Sequence, residues 1–293
     1  MTKIRKDPRP LLVRLWIFQR ERAPLYGVAI MALVTCGVVY NFADSPPRNY
    51  LTAAVIIALY LLQIRTADEK KDFEHDNKYH PTRPVQRGIV TLSELAVINK
   101  LCIGLQLLLY ASFLDWRIFG LGLLSQGYAI LTKKEFFVRD WIRQHFYIYY
   151  LTHYMQLVIL FYAMTQIIQP NHVSPWVFVG LFMAGVITTE LGRKMFAVED
   201  DTTDDTYSAQ LGHRGSAVAI STLATVMTLV AFYLINQGAQ NYLFIIGPII
   251  TLGLVINNAY HYAIEPDRKN AKNIELASNV MYVVTMLSVI LGA

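Results

Sequence analysis

Three aspartates, Asp68, Asp72 and Asp76, recur at intervals of four in the segment Arg65-Thr66-Ala67-Asp68-Glu69-Lys70-Lys71-Asp72-Phe73-Glu74-His75-Asp76. On a helix they line one face at intervals of about 6 Å, with Glu69 on an adjoining face beside Asp72. Carboxylates arrayed in this way repel one another unless a cation sits among them. Hard oxygen ligands at a site open to water suit Mg²⁺, which takes a few carboxylates together with substrate phosphate oxygens. The plainer alternative is a solvated acidic helix end balanced by Lys70, Lys71 and Lys78. The continuation of the chain favours the metal. Arg83 and Arg87 flank Pro84 ahead of Gly88, a stiff turn whose guanidinium groups suit a phosphate in fork geometry. Metal and guanidinium together describe a diphosphate site.

A second acidic cluster begins at Glu190, Arg193 and Lys194, runs through Glu199-Asp200-Asp201-Thr202-Thr203-Asp204-Asp205-Thr206-Tyr207-Ser208, and ends at Gly212. Asp200 and Asp204 are four apart, as are Asp201 and Asp205, so either pair can chelate one ion; a soluble acidic loop is the alternative. Lys133 and Lys134, in a basic segment with Arg139 and Arg143, lie where they can neutralise a leaving diphosphate. With Arg83, Arg87, Arg193 and Lys194 they form the candidate diphosphate-binding set.

The elements that position these motifs are apolar. Hydrophobic residues make up 54% of the 293 and charged residues 16%, against about 25% in a soluble domain. Uncharged or nearly uncharged stretches fall at 25–43, 50–64, 95–113, 117–132, 147–169, 175–189, 216–235, 242–261 and 274–292. Most are long enough to cross about 30 Å of hydrocarbon. The fold expected is all-α, with nine transmembrane helices in one domain over 1–293. The short stretches at 50–64 and 175–189 run directly into the charged motifs, so their helices are expected to continue beyond the membrane as polar turns.

Lysine and arginine set the orientation. With the amino terminus inside, the cytoplasmic segments 1–24, 65–94, 133–146, 190–215 and 262–273 hold 23 of the 26 basic residues. Arg48 and Arg117 lie opposite and Lys100 lies within a span. This division obeys the positive-inside rule and attributes the net charge of +5 to membrane orientation, not to nucleic-acid binding. Residues 1–24 are basic and interrupted by prolines, and are expected to be a cytoplasmic or interfacial segment without a signal peptide, Leu11 to Phe18 forming a short helix in the membrane surface. Cys36 and Cys102 read as packing residues. A multi-pass protein of the cell (inner) membrane is expected.

The first motif resembles that of the UbiA superfamily of intramembrane prenyltransferases, Asn-Asp-x-x-Asp-x-x-x-Asp followed by Arg-Pro and a glycine. Here it stands as Asp68-Glu69-x-x-Asp72-x-x-x-Asp76, then Arg83-Pro84 and Gly88. The layout of spans, with motifs after the second and sixth, is similar over essentially the whole chain. Asp68 replaces the usual asparagine. The second motif is degenerate: counted back from Thr206-Tyr207-Ser208 and Gly212, Glu199 takes the place of the last aspartate, and the preceding aspartate positions near Glu190 are not acidic.

The resemblance implies a helical bundle around a central cavity, with an isoprenoid diphosphate held through Mg²⁺. Asp68, Asp72 and Asp76 are the implied catalytic and metal residues, joined at the metal by Glu199, Asp200 and Asp204. Ionisation would give an allylic cation that must meet an acceptor and not water. A cavity in the bilayer excludes water, and aromatic faces stabilise cations. Tyr147, Tyr149, Tyr150, Tyr154 and Tyr162 cluster in the fifth span with His153, and Tyr150 and Tyr154 share a face. Tyr150, His153, Tyr154 and Asn257 are the candidate cavity residues, with an aromatic belt and ordinary helix packing as the alternative. Gln106, Gln126, Asn257, Asn258 and His261 are polar within spans and should face the interior and find partners.

Three functions compete. Prenyl transfer from a prenyl diphosphate to an aromatic or other lipophilic acceptor leads. A terpene cyclase would use the same site without an acceptor, a possibility the degenerate second motif keeps open. A transporter is disfavoured because the spans lack acidic residues at mid-membrane, where a coupled ion would bind.

Overall fold

The computed structural model describes residues 7–201 and 206–293. Helices account for all regular structure among them: α1 (Leu11–Arg22), α2 (Leu25–Tyr40), α3 (Pro47–Lys71), α4 (Phe73–Tyr79), α5 (Leu92–Ala111), α6 (Trp116–Lys133), α7 (Arg139–Gln144), α8 (Phe146–Ile168), α9 (Pro175–Arg193), α10 (Tyr207–Gln237), α11 (Ile246–Ile264) and α12 (Arg268–Gly292), with two short 3₁₀ turns. Local sequence sets their starts. Pro47 and Pro175 sit in the first turns of α3 and α9, where a missing N–H is harmless. Thr91 and Glu94 form a capping box on α5, and the side chains of Asp115, Thr206 and Asp267 accept from backbone N–H groups at the starts of α6, α10 and α12.

By length and composition, α3, α5, α8, α9, α10, α12 and the stretch Tyr242–Ile264 are able to cross a membrane. An eighth span is available if α1 and α2, which meet at a 58° bend, count as one. The count of nine expected from the sequence exceeds this, because α2 has only 16 residues and α6, with Arg117, Gln126 and Lys133 among its 18, offers no full-length stretch as apolar as theirs.

The chain divides into two compact units. The first comprises residues up to Cys36 together with Pro46–Ile142; the second comprises Gly37–Ser45 and Arg143–Ala293.

In the first unit α3 packs on α5 and α6, and α5 on α6. At their centre three buried glutamines close a ring. Gln63 donates to Gln126 at 2.9 Å, Gln126 to Gln106 at 3.0 Å, and Gln106 to Gln63 at 2.7 Å. Asn99 adds bonds to the Gln63 carbonyl and the Thr66 hydroxyl. Each amide would be expensive to bury alone; together they satisfy one another and fix the register of three helices. Gln106 and Gln126 thus find the interior partners expected of them. α1 packs Phe18 with Ala23, Val85, Ile89, Val90 and Leu95, while Leu12 and Trp16 are exposed, as an interfacial helix requires.

In the second unit α9 packs on α8, α10 and α12, and α10, α11 and α12 pack on one another. α9 and α12 approach closely because Gly185 faces the Tyr282 ring, where a β-carbon would stand 2.5 Å from Cδ2. The turn after α2 joins this unit through Asn171, which donates from its backbone to the Phe42 carbonyl and from its side chain to Asp44.

Candidate active site

The acidic face forms as the spacing requires, with one refinement. α3 ends at Lys71 and α4 begins at Phe73, with Asp72 at the joint (φ −98°, ψ 7°). Three backbone bonds nevertheless span the joint and its far side: Asp72 N–H to the Asp68 carbonyl, Asp76 to Asp72 and His80 to Asp76, each at 2.8 Å. Asp68, Asp72 and Asp76 therefore remain one turn apart through the break. Asp68 and Asp72 are half-buried and Asp76 is 1% exposed.

Glu69, the acidic residue next to Asp68, is also 1% exposed. Its Oε1 accepts from Arg22 Nε at 2.8 Å and from Arg65 Nη2 at 2.6 Å, which ties α1 to the acidic end of α3. Its Oε2 is buried without a hydrogen-bond partner. An orphan buried acceptor next to Asp68, together with carboxylates one turn apart along the helix, is oxygen chemistry of the kind that fits Mg²⁺.

Arg83 pairs with Asp76. The turn that carries it is closed by bonds from Arg87 N–H to the Arg83 carbonyl and from Ile89 N–H to the Pro84 carbonyl, and Gly88 sits at φ 74°, a conformation that favours glycine. Buried Arg14 of α1 anchors the same turn, donating to the Ile89 carbonyl at 3.0 Å and to both Glu94 oxygens at 2.9 and 2.7 Å. Arg87, the other half of the expected clamp, faces Glu21 at 2.7 and 2.8 Å. Burial and the Arg83 charge hold the His80 imidazole below its ordinary pKa.

Lys133 and Lys134 are exposed, Lys134 lying 4.9 Å above the Phe137 ring. Between them and Arg139 the backbone turns left-handed over Glu135, Phe136 and Phe137 (φ 48°, 53° and 62°), which costs about 1–2 kcal/mol per residue. Buried Glu135 holds this turn, pairing with Arg139 at 3.1 Å and with Lys71 of the acidic segment at 3.7 Å. Neither Glu69 nor Glu135 stands out as a structural anchor in the sequence. The available signal in each case was an acid beside a pair of lysines, Lys70 and Lys71 after Glu69 and Lys133 and Lys134 before Glu135.

In the second unit the aromatic residues expected to share a face do so and gain a partner. Tyr154 and Tyr207 share a hydroxyl hydrogen bond at 2.9 Å, and the Tyr150 ring lies 4.9 Å from that of Tyr207 and 4.7 Å from that of Phe146. Lys194 Nζ stands 5.2 Å above the Tyr150 ring, while Arg193 makes a two-point pair with Glu190. His153 bonds its own helix at the Tyr149 carbonyl and stacks on the Tyr149 ring.

The second acidic cluster is drawn to α12. Arg268 makes two bonds to Asp200, at 2.7 and 2.6 Å, and lies 3.4 Å from Glu199. The hydrogen bonds to Arg268 hold the Asp200 carboxyl below its usual range. Asp201 accepts from the Thr206 hydroxyl that also caps α10. Asp204 lies outside the described residues. Asn257 and His261 are exposed on α11, and Asn258 bonds only its own helix at Leu254.

The sequence matches the UbiA prenyltransferase family over residues 28–280, and the chain belongs to that family. It is a multi-pass integral membrane protein. Among solved structures it is similar to that of a digeranylgeranylglyceryl phosphate synthase, with a TM-score of 0.67 and 14% identity over 95% of this chain and 98% of the other. It is also similar to a UbiA homologue from Aeropyrum pernix K1, with a TM-score of 0.64 and 12% identity over 91% and 96%. A UbiA homologue from Archaeoglobus fulgidus bound to DMAPP and Mg²⁺ matches with a TM-score of 0.56 and 13% identity over 94% and 99%. At these identities the likeness is one of fold. Among curated proteins no significant match is found.

Proposed function

We propose that the protein is a Mg²⁺-dependent prenyltransferase that moves an isoprenoid chain from a prenyl diphosphate to an aromatic or other lipophilic acceptor within the membrane. The observation that carries this reading is the pair of backbone bonds, Asp72 N–H to the Asp68 carbonyl and Asp76 N–H to the Asp72 carbonyl, that keeps the three aspartates of a family member's first acidic motif one turn apart. The A. fulgidus homologue, bound to DMAPP and Mg²⁺, supports the choice of ligand.

Asp68, Asp72 and Asp76 are the residues that would hold the ion, with Glu199, Asp200 and Asp204 assigned to it from the second motif. Bound there, Mg²⁺ supplies Lewis acidity at the diphosphate oxygens, so that the carbon–oxygen bond ionises. Arg83, Arg87, Lys133, Lys134, Arg193 and Lys194 are assigned to the diphosphate, which suits guanidinium and ammonium donors. Tyr150 and Tyr154 are suited to face an allylic cation, and His153 and Asn257 are assigned with them to the prenyl cavity. The family match runs through both compact units, which supports treating the chain as one membrane domain. Nine spans, an inside amino terminus and the cell membrane complete the proposal, on the strength of the basic residues in the inward-assigned segments.

The test is diphosphate release by the purified protein offered geranyl, farnesyl or geranylgeranyl diphosphate, with and without Mg²⁺, followed by mass analysis of extracted products. Mg²⁺-dependent release that needs an added or co-extracted acceptor supports the transferase. Release without acceptor, yielding a hydrocarbon or alcohol, replaces it with a cyclase. No release with any chain overturns both.

A further inference from the structure

His75 and His80 are assigned no part in the proposed diphosphate chemistry, yet both converge on Asp76. One ligand atom from each of the three residues lies within 4.8 Å of the others, and His75 Nδ1 is 3.6 Å from Asp76 Oδ1. Three constraints hold the group together. The His80 N–H bonds the Asp76 carbonyl at 2.8 Å, which fixes the backbone of one ligand beside the other. The His75 ring packs against that of Tyr79, with centroids 4.7 Å apart. Asp76 is buried and paired with Arg83, which orients the carboxylate as an outer partner of a metal ligand does. The two imidazoles are exposed, so an ion has access from water.

We infer that His75, Asp76 and His80 form a binding site for a zinc-class divalent ion, distinct in chemistry from the magnesium site and overlapping it at Asp76. Two imidazoles and one carboxylate are a zinc ligand set that leaves a fourth position for water. Imidazole nitrogen favours Zn²⁺, Co²⁺, Ni²⁺ and Cu²⁺, whereas Mg²⁺ keeps to oxygen. Bonds of about 2.0–2.1 Å in a tetrahedron place ligands roughly 3.4 Å apart, so the three groups close on an ion by side-chain rotation. An ion bound here takes the Asp76 carboxylate from the acidic face, and a zinc-class metal therefore inhibits turnover. That inhibition rests on the reading of Asp76 as a magnesium ligand; the binding itself does not.

The experiment uses the full chain, free of any histidine tag, stripped of metal and titrated with Co²⁺ while visible absorption and calorimetric heat are followed. One Co²⁺ per chain is expected, displaced by Zn²⁺, with affinity at least about 100-fold weaker in H75A and in H80A, since loss of an outer partner alone costs roughly 10- to 100-fold. Absence of stoichiometric binding to the wild type, or equal binding by the double variant H75A/H80A, overturns the site. H75Q and H80Q repeat the test with side chains nearer in size should either alanine variant unfold. In the diphosphate-release assay at saturating Mg²⁺, Zn²⁺ should inhibit the wild type and spare the double variant. Equal inhibition of both overturns the overlap at Asp76. Co²⁺ binding to a protein that releases no diphosphate leaves the site standing and removes the prenyl-diphosphate reading.

Discussion

Arg22, the last residue of the amino-terminal helix, donates from Nε to Oε1 of Glu69 at 2.8 Å and so fastens that helix to the acidic end of α3. Glu69 is wholly enclosed, and of the two arginines that reach it only Arg65 lies on its own helix. Arg22→Ala leaves a buried carboxylate one charged partner short and is expected to cost about 1.5–3 kcal/mol. Thermal unfolding in detergent measures this. An unchanged midpoint would show that α1 is not anchored through Glu69.

Asp72→Ala and Asp76→Ala are each expected to lower Mg²⁺-dependent diphosphate release by about 100-fold or more, the scale on which removal of one electrostatic stabiliser acts. Elution volume and helical circular dichroism should be unchanged. Full activity in both variants would remove the metal-site reading.

Arg83→Ala should raise the KM for a prenyl diphosphate more than it lowers kcat, because a phosphate partner is lost while the carboxylates remain. Arg83→Lys keeps a charge near Asp76 without the fork, and is expected to recover part of the loss. A KM equal to that of the wild type in the alanine variant would count against a diphosphate role.

The glutamine ring makes an asymmetric prediction. Gln126→Leu strands the donor of Gln63 and the acceptor of Gln106, and should destabilise by about 1–2 kcal/mol, the range found for hydrogen bonds between membrane helices. Replacing all three glutamines by leucine leaves no polar group unpaired, and should restore part of that loss. Equilibrium unfolding of the two variants decides the matter; a triple variant weaker than the single one by the sum of three such losses would refute the mutual satisfaction of the ring.

Two glycines of α9 form a matched pair. Gly185→Ala pushes a methyl group against Tyr282 and should cost about 1–3 kcal/mol. A β-carbon at Gly180 meets nothing within 4 Å, so Gly180→Ala should be neutral or stabilising by roughly 0.5–1 kcal/mol. Thermal midpoints that move in the same direction would contradict the close α9–α12 approach.

Much of the architecture could be read from the chain because the bilayer leaves few choices: a backbone in hydrocarbon must satisfy itself, so long uncharged stretches become helices. The register of Asp68, Asp72 and Asp76 was equally legible, since a four-residue interval and a helical turn nearly coincide. That Gln106 and Gln126 face inward and find partners followed from the cost of a lone amide in lipid, whereas Asn257 and His261, expected to do the same, are exposed, and nothing marked Gln63, at the end of a stretch that runs into charge. Contacts between residues far apart in sequence were beyond reach. Nothing local marks Glu69 as the anchor for Arg22, Glu135 as the partner of Lys71, or Arg268 as the claimant of Asp200. The count of nine spans rests on α2 and α6 for a related reason, because composition alone does not say whether a short or partly polar helix crosses or merely packs.

The closed circle formed by Gln63, Gln126 and Gln106 also bears on whether a proton could be handed along these helices. A chain of donors and acceptors relays protons only when it has an entrance and an exit, so that one proton joins as another leaves. Here every amide hands its N–H to the next and the last returns to the first. Turning all three side chains over reverses the sense of the circle and moves no net charge. A polar layer buried among apolar helices that closes on itself in this way is a dead end for such a relay.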